Sequence, residues 1–269
     1  MKGRDLKWFG IGCLAVCCTV LLAAGTGLAL SRSALPHRSA LTTQPKQLQK
    51  QVQTSRTILH GPIRIFAMGD SLSRGYGDET GLGYIGDLQQ ALEKKGLQTT
   101  VDNIAVDGFV SDQLVHQIKD PAIQKQVAAA KIITFSIGGN DLVRNVANFT
   151  IPTIEQTKAS EEHYLKNLNT ILQTVRANNS QAPILMVGLY NPFLQLQGGA
   201  AGTAVVEDWN GRTSTLLRSY TNTYLVPTLD IFAANGDKFL YADHFHPNAA
   251  GYQAIAARML QDLSSLLPS

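Results

Sequence analysis

Cysteine is nearly absent from this 269-residue sequence: there are three, Cys13, Cys17 and Cys18, all within one apolar stretch near the start. Nothing after residue 18 can therefore form a disulfide or offer a thiolate to a metal, and the core must hold together unaided. The three cysteines read as apolar filler, because neither Gly12-Cys13 nor Val16-Cys17 sits in a lipoprotein cleavage context. Phosphate-cradling patterns are also missing. Gly75-Tyr76-Gly77 lacks the third glycine of a dinucleotide turn, and no Gly-Lys-Ser/Thr occurs. No internal repeat is present, and the main part of the chain has no excess of basic residues. Residues 1–60 carry eight Lys/Arg against the single Asp5 (net +7), which leaves 15 against 19 (net −4) for residues 61–269. The overall charge of +3 thus belongs to the tail, and the rest shows no nucleic-acid-binding face.

What is present divides the chain in three. Residues 1–30 begin with Lys2, Arg4 and Lys7 and continue through Trp8 to Leu30 without a charge. That length suffices to cross a hydrocarbon core of ~30 Å, with the basic end on the cytoplasmic side. The segment is expected to be a signal anchor, giving a single-pass membrane protein with an extracellular domain. Gly27-Leu28-Ala29 offers a peptidase small residues, so a cleaved signal and a secreted protein is the competing reading. Residues 31–60 are polar, rich in Gln, Ser and Thr and broken by Pro36 and Pro45, as in a linker, with a short helix possible over Gln44 to Gln53. Residues 61–269, 44% hydrophobic like the chain as a whole, are long enough for one large domain.

In that domain strands and helices alternate. Ile63 to Met68, Thr99 to Ala105, Ile132 to Ile137, Ile184 to Leu189 and Tyr224 to Leu229 read as strands. Tyr84, Ile85, Leu88, Ala91 and Leu92 recur at helical spacing. Asp112 to Ala130 reads as one helix bent at Pro121, and Tyr164 to Val175 as a long helix with Ser160 as its N-cap. After a loop rich in Gly and Ala come helices around Asp208 to Tyr220 and Asn248 to Leu266. Five strands separated by helices imply a parallel sheet covered on both faces.

Four strand ends carry polar residues that fit one chemistry. Ile63 to Gly77, IRIFAMGDSLSRGYG, takes a buried strand straight into Asp70 and Ser71. Ligands collect at the carboxyl edge of such sheets, so Ser71 is a candidate nucleophile, or else a helix-capping serine. A nucleophilic serine needs a base, a group to orient that base, and donors for the developing oxyanion. Gly108 after the second strand can bring a backbone N–H close to a ligand, and Asn140 after the third offers a carboxamide. Asp243 and His246, three apart before the last helix, can pair as orienter and base. Taken singly, Gly108 is also a plain turn glycine, Asn140 a helix cap, and Asp243 with His246 a surface ion pair.

Gly69-Asp70-Ser71-Leu72-Ser73, Gly108, Gly139-Asn140-Asp141 and Asp243-x-x-His246-Pro247, in this order, resemble the blocks of the SGNH (GDSL-type) esterases and lipases. The resemblance spans about residues 61–267. It implies a flavodoxin-like three-layer α/β/α fold with a five-stranded parallel sheet, and a catalytic triad of Ser71, His246 and Asp243. It also implies an oxyanion hole formed by the backbone N–H of Ser71, the backbone N–H of Gly108 and the Asn140 amide.

The expected reaction is ester hydrolysis through an acyl-enzyme on Ser71, with no cofactor and no metal, on a small-molecule, lipid or glycan ester. Lipase, lysophospholipase and carbohydrate O-acetylesterase activities all fit. Tyr190 to Gly202, an apolar patch followed by a glycine-rich run, reads as an acyl-binding flap or a solvated loop. His244 is expected to point away from the site, and His116 and His163 to be surface or satisfied histidines. Asp70 and Asp141 are expected to brace their loops through backbone hydrogen bonds. Two other classes stay open: a metal-dependent phosphoesterase, which Gly139-Asn140-Asp141 and His244-x-His246 superficially suggest, and a catalytically silent membrane-tethered binding module.

Overall fold

Strand β1 (Ile63–Gly69) is buried along its length except at Arg64, because it has a strand on each side and a helical layer on each face. The structure is a computed structural model and describes residues 59–144, 151–194 and 198–268. The readings for the apolar start, its cysteines and nearly all of the linker lie outside those residues. Among the described residues no helix is long and apolar enough to cross a membrane. The other strands are β2 (Thr99–Asn103), β3 (Ile132–Ser136), β4 (Ile184–Val187) and β5 (Thr223–Val226). All pairings are parallel, in the order β2-β1-β3-β4-β5, with Gly69 beside Ser136 in register.

Alternation along β1 splits the core into two halves. Ile63, Ile65 and Ala67 face helices α2 (Gly83–Glu93) and α9 (Ala249–Leu263), through Leu88, Leu92, Ile255 and Met259. Phe66 and Met68 face the other layer: α3 (Ser111–Gln117), α4 (Pro121–Ala129), α6 (Ile154–Asn178) and α7 (Ala201–Leu217). Short helices α1 (Ser71–Arg74), α5 (Gly139–Val143) and α8 (Leu229–Asn235) lie in the connections. This is the three-layer α/β/α arrangement expected from the sequence. Leu59, at the end of the segment read as linker, is itself buried in the core, and its N–H donates to Leu266 O at 2.7 Å.

Several boundaries differ from the sequence reading. The long helix starts at Ile154 rather than near Ser160, which lies inside it; Thr153 is the cap and exchanges hydrogen bonds with Gln156. The bent helix is two helices, since the Asp120 carboxylate accepts from Ala122 N–H at 2.7 Å and starts a new one at Pro121. The helix expected from Asp208 begins at Ala201, so the end of the glycine-rich run is helical; Gly202 packs against the Asn191 side chain, which leaves no room for a Cβ at normal distance. The last strand ends at Val226, before Pro227, and Leu229 opens α8.

Candidate active site

At the carboxyl end of β1 the chain must turn against β3, and Gly69 makes the turn possible. Its φ is +116°, and a Cβ there would stand 2.0 Å from Ser136 O. Asp70 N–H donates to that same carbonyl at 3.1 Å. The Asp70 carboxylate then caps α1 by accepting from Leu72 N–H at 3.1 Å. Capping therefore falls to Asp70, and Ser71 becomes the first residue of α1 with its hydroxyl presented at the sheet edge.

A buried polar network fixes this turn from below. The Asp70 Oδ1 atom that caps α1 also accepts from the Ser136 hydroxyl. The Ser136 and Ser73 hydroxyls lie 2.8 Å apart, and Ser73 reaches the Tyr84 hydroxyl at 2.6 Å. Burial pushes the Asp70 carboxyl above the ordinary carboxylate range, against the hydrogen bonds from Ser136 and Leu72. Asp141, also raised by burial, holds α3 by accepting from both the N–H and the hydroxyl of Ser111. Both carboxylates brace their loops as expected. Their serine partners, Ser136 and Ser111, carry no distinguishing signal in the sequence, since β3 holds a second hydroxyl at Thr134 that bonds to the Leu185 carbonyl instead.

On the other side of the site, the loop from Tyr241 to Pro247 returns to the same edge. Ser71 Oγ lies 2.9 Å from His246 Nε2, and His246 Nδ1 lies 2.7 Å from Asp243 Oδ2. Asp243 Oδ1 meanwhile accepts from the N–H groups of Phe245 and His246, each at 2.9 Å. Partial burial raises the Asp243 carboxyl, but the hydrogen bonds from the His246 ring and the two amides outweigh it and leave the group below its usual range. An ionised carboxylate only accepts, so Nδ1 carries its proton and Nε2 is left to accept from the Ser71 hydroxyl. Tyr190 secures the loop from behind, donating its hydroxyl to Phe245 O at 2.6 Å and stacking on Phe232 at 4.0 Å between centroids.

Asn140, in α5, lines the same cleft as Ser71 and His246, and its amide donates to Phe109 O at 2.9 Å, beside Gly108. Gly108 and Asn140 together border an adjoining hollow. Among the described residues no acceptor is bonded to the N–H of Ser71 or of Gly108. The residues expected to form the site thus come from four chain segments to one edge of the sheet.

A family model for the GDSL-like lipase/acylhydrolase family matches residues 67–254. The chain belongs to this family. Membership makes it an enzyme that hydrolyses ester bonds. It is 34% identical over 226 residues to the uncharacterized protein YpmR of Bacillus subtilis, covering 82% of this chain and 87% of that one. It is 25% identical over 209 residues to the spore germination lipase LipC of Bacillus licheniformis, covering 73% and 94%. In fold it is similar to the lipase Lip_vut3 from a goat rumen metagenome, with a TM-score of 0.64 and 20% identity over 74% of this chain and 97% of that one.

In this GDSL-like chain the cleft beside Ser71 and His246 is walled by the apolar side chains of Leu142, Ile151, Leu189, Phe193 and Val206. Tyr190 to Phe193 and Gly202, from the segment expected to form a flap, border it; residues 195–197 of that segment lie outside the described residues. His244 turns outward with a left-handed φ of +55°, its Nδ1 3.6 Å from Asp237 Oδ1. His163 pairs with Asp112 at 2.8 Å. Among the described residues no three His, Cys, Asp or Glu side chains converge as metal ligands, and both ring nitrogens of His246 are already engaged.

Proposed function

We propose that this chain is an exported lipase-type carboxylic ester hydrolase that works through an acyl-enzyme on Ser71. The observation that carries the reading is the apolar cleft ending at the Ser71–His246 pair, whose walls suit a medium or long acyl chain. His246 Nε2 takes the hydroxyl proton as Ser71 Oγ bonds to the acyl carbon, and Asp243 keeps the imidazole in the accepting tautomer. The oxyanion that forms is held by the N–H groups of Ser71 and Gly108 and by the Asn140 amide. The tetrahedral centre collapses, the carbon–oxygen bond to the alcohol breaks, and His246 returns the proton to the departing oxygen. Water attacks the acyl-enzyme by the same route and releases the acid. Export is inferred from the basic start and the uncharged run from Trp8 to Leu30.

The test is a series of p-nitrophenyl esters from acetate to dodecanoate, combined with fluorophosphonate labelling. Each buried methylene is worth ~0.8 kcal/mol, so kcat/KM should rise by at least about tenfold from acetate to octanoate. The label should map to Ser71, Ser71→Ala should abolish turnover, and EDTA should have no effect. A maximum at acetate would make the enzyme an O-acetylesterase instead. Loss of activity in EDTA without labelling would point to a metal-dependent hydrolase, to be distinguished as a phosphoesterase by turnover of p-nitrophenyl phosphate esters.

A further inference from the structure

His246 borders the cleft, and Tyr76, which does not line it, stands against the same imidazole, with ring centroids 4.5 Å apart and the rings tilted by 53°. Tyr241 meets Tyr76 edge-on, with centroids 6.4 Å apart. Tyr76 is 46% exposed, so a large ring is offered to solvent beside the histidine.

The chain invests several contacts in keeping it there. Tyr252, which is buried, donates its hydroxyl to the Tyr76 carbonyl at 2.7 Å. Gly77 lets this loop lie directly on the histidine loop: its φ is +89°, and a Cβ would come within 2.7 Å of Pro247 O and 3.2 Å of His246 Cβ. The two loops are thereby held against one another, which keeps the Tyr76 backbone beside the histidine loop and its ring next to the imidazole.

Reaction chemistry says what such a ring faces. The proton that His246 takes from Ser71 must pass to the oxygen of the leaving alcohol, so that alcohol lies against the imidazole while the acyl chain occupies the cleft. Resting on the catalytic roles proposed above, we infer that Tyr76, with Tyr241 behind it, forms the alcohol subsite and selects esters whose alcohol carries a ring with an apolar face. An aryl ring and the C–H face of a pyranose share that chemistry, and both stack on a fixed aromatic ring.

The experiment holds the acyl group constant and varies the alcohol: ethyl octanoate, benzyl octanoate and methyl 6-O-octanoyl-glucopyranoside. Ethanol and benzyl alcohol are similar leaving groups, so their ratio reports binding rather than intrinsic reactivity. Wild-type kcat/KM should favour at least one ring ester over the ethyl ester by about tenfold, the scale of one buried aromatic contact. Which ring is favoured identifies the source of the alcohol. Tyr76→Ala and Tyr76→Leu should both collapse the ratio towards one, and Tyr76→Phe should preserve it. No ring preference in the wild-type enzyme, or an equal loss on all three esters in Tyr76→Ala and Tyr76→Leu, would overturn the subsite and leave Tyr76 as a prop for His246. Failure of the underlying reading shows separately, as turnover that survives Ser71→Ala.

Discussion

Two histidines two residues apart have opposite surroundings, and that contrast can be tested at the level of single atoms. His246 is held at both ring nitrogens, by Ser71 and Asp243, whereas the His244 side chain is 72% exposed. His246→Ala should be nearly as damaging as Ser71→Ala, and the double variant hardly worse than either, because members of one catalytic unit fail together. His244→Ala should cost less than about twofold in kcat/KM. Two equally damaging histidine substitutions would contradict the assignment. Asp70 allows a test of sign. Its raised carboxyl binds a proton more readily in the folded than in the unfolded chain, so its contribution to stability is present below about pH 4 and is lost as pH rises through the folded-state pKa. Asp70→Asn keeps an oxygen for Leu72 and Ser136 but removes the titration. Its melting temperature should fall less than that of wild type between pH 4 and pH 7, as read by paired thermal melts. The hydrogen-bonded row Ser71–His246–Asp243 could be anticipated in the sequence because Asp243-x-x-His246 is a local pattern and Ser71 closes an apolar run. Tyr190, Ser136 and Tyr76 were not, because each works through a partner 55 or more residues away that no local pattern announces.

Among the elements, the strands were the easiest to read and the helix starts the hardest, for a physical reason. A central parallel strand must be apolar on both faces, so β1 announces itself, whereas a helix can begin anywhere that some group caps its free N–H groups. Thr153 with Gln156 does so for α6, seven residues before Ser160, ahead of the apolar stripe that marks the helix in sequence. The other end of α6 is organised by Arg176. Its guanidinium donates to the carbonyls of Asn179, Ala182, Thr221 and Asn222 and to the Thr223 hydroxyl, joining the helix to the amino ends of β4 and β5. Arg176→Ala leaves those carbonyls without their donor. It should destabilise the fold by about 1.5–3 kcal/mol in urea unfolding, the range for hydrogen bonds to a charged group, with activity retained in whatever remains folded. A neutral outcome would mean that water replaces the guanidinium at no cost.

For the whole molecule, the burial of Leu59 decides where the catalytic unit can be cut. A chain starting at Arg56 keeps Leu59 and its bond to Leu266, and should be soluble, two-state in urea and as active as the full chain on soluble esters. A chain starting at Gly61 loses both, and its denaturation midpoint should be lower with kcat/KM for the folded fraction unchanged. Equal midpoints would show that Leu59 contributes nothing measurable. The charge asymmetry has its own consequence, because the unit from residue 61 on, at net −4, should migrate as an acidic protein although the full sequence has a pI near 8.7.

The bond between Leu59 and Leu266 also brings the entry and exit of the catalytic unit together. Leu59 precedes β1, and Leu266 follows the helix that runs back from the His246 loop, so both lie at the sheet edge opposite Ser71. Whatever is spliced on at either point, whether a carrier protein, an affinity handle or a bead, is thereby attached to the back of the enzyme. Immobilised or displayed through either end, it presents its mouth outward to substrate.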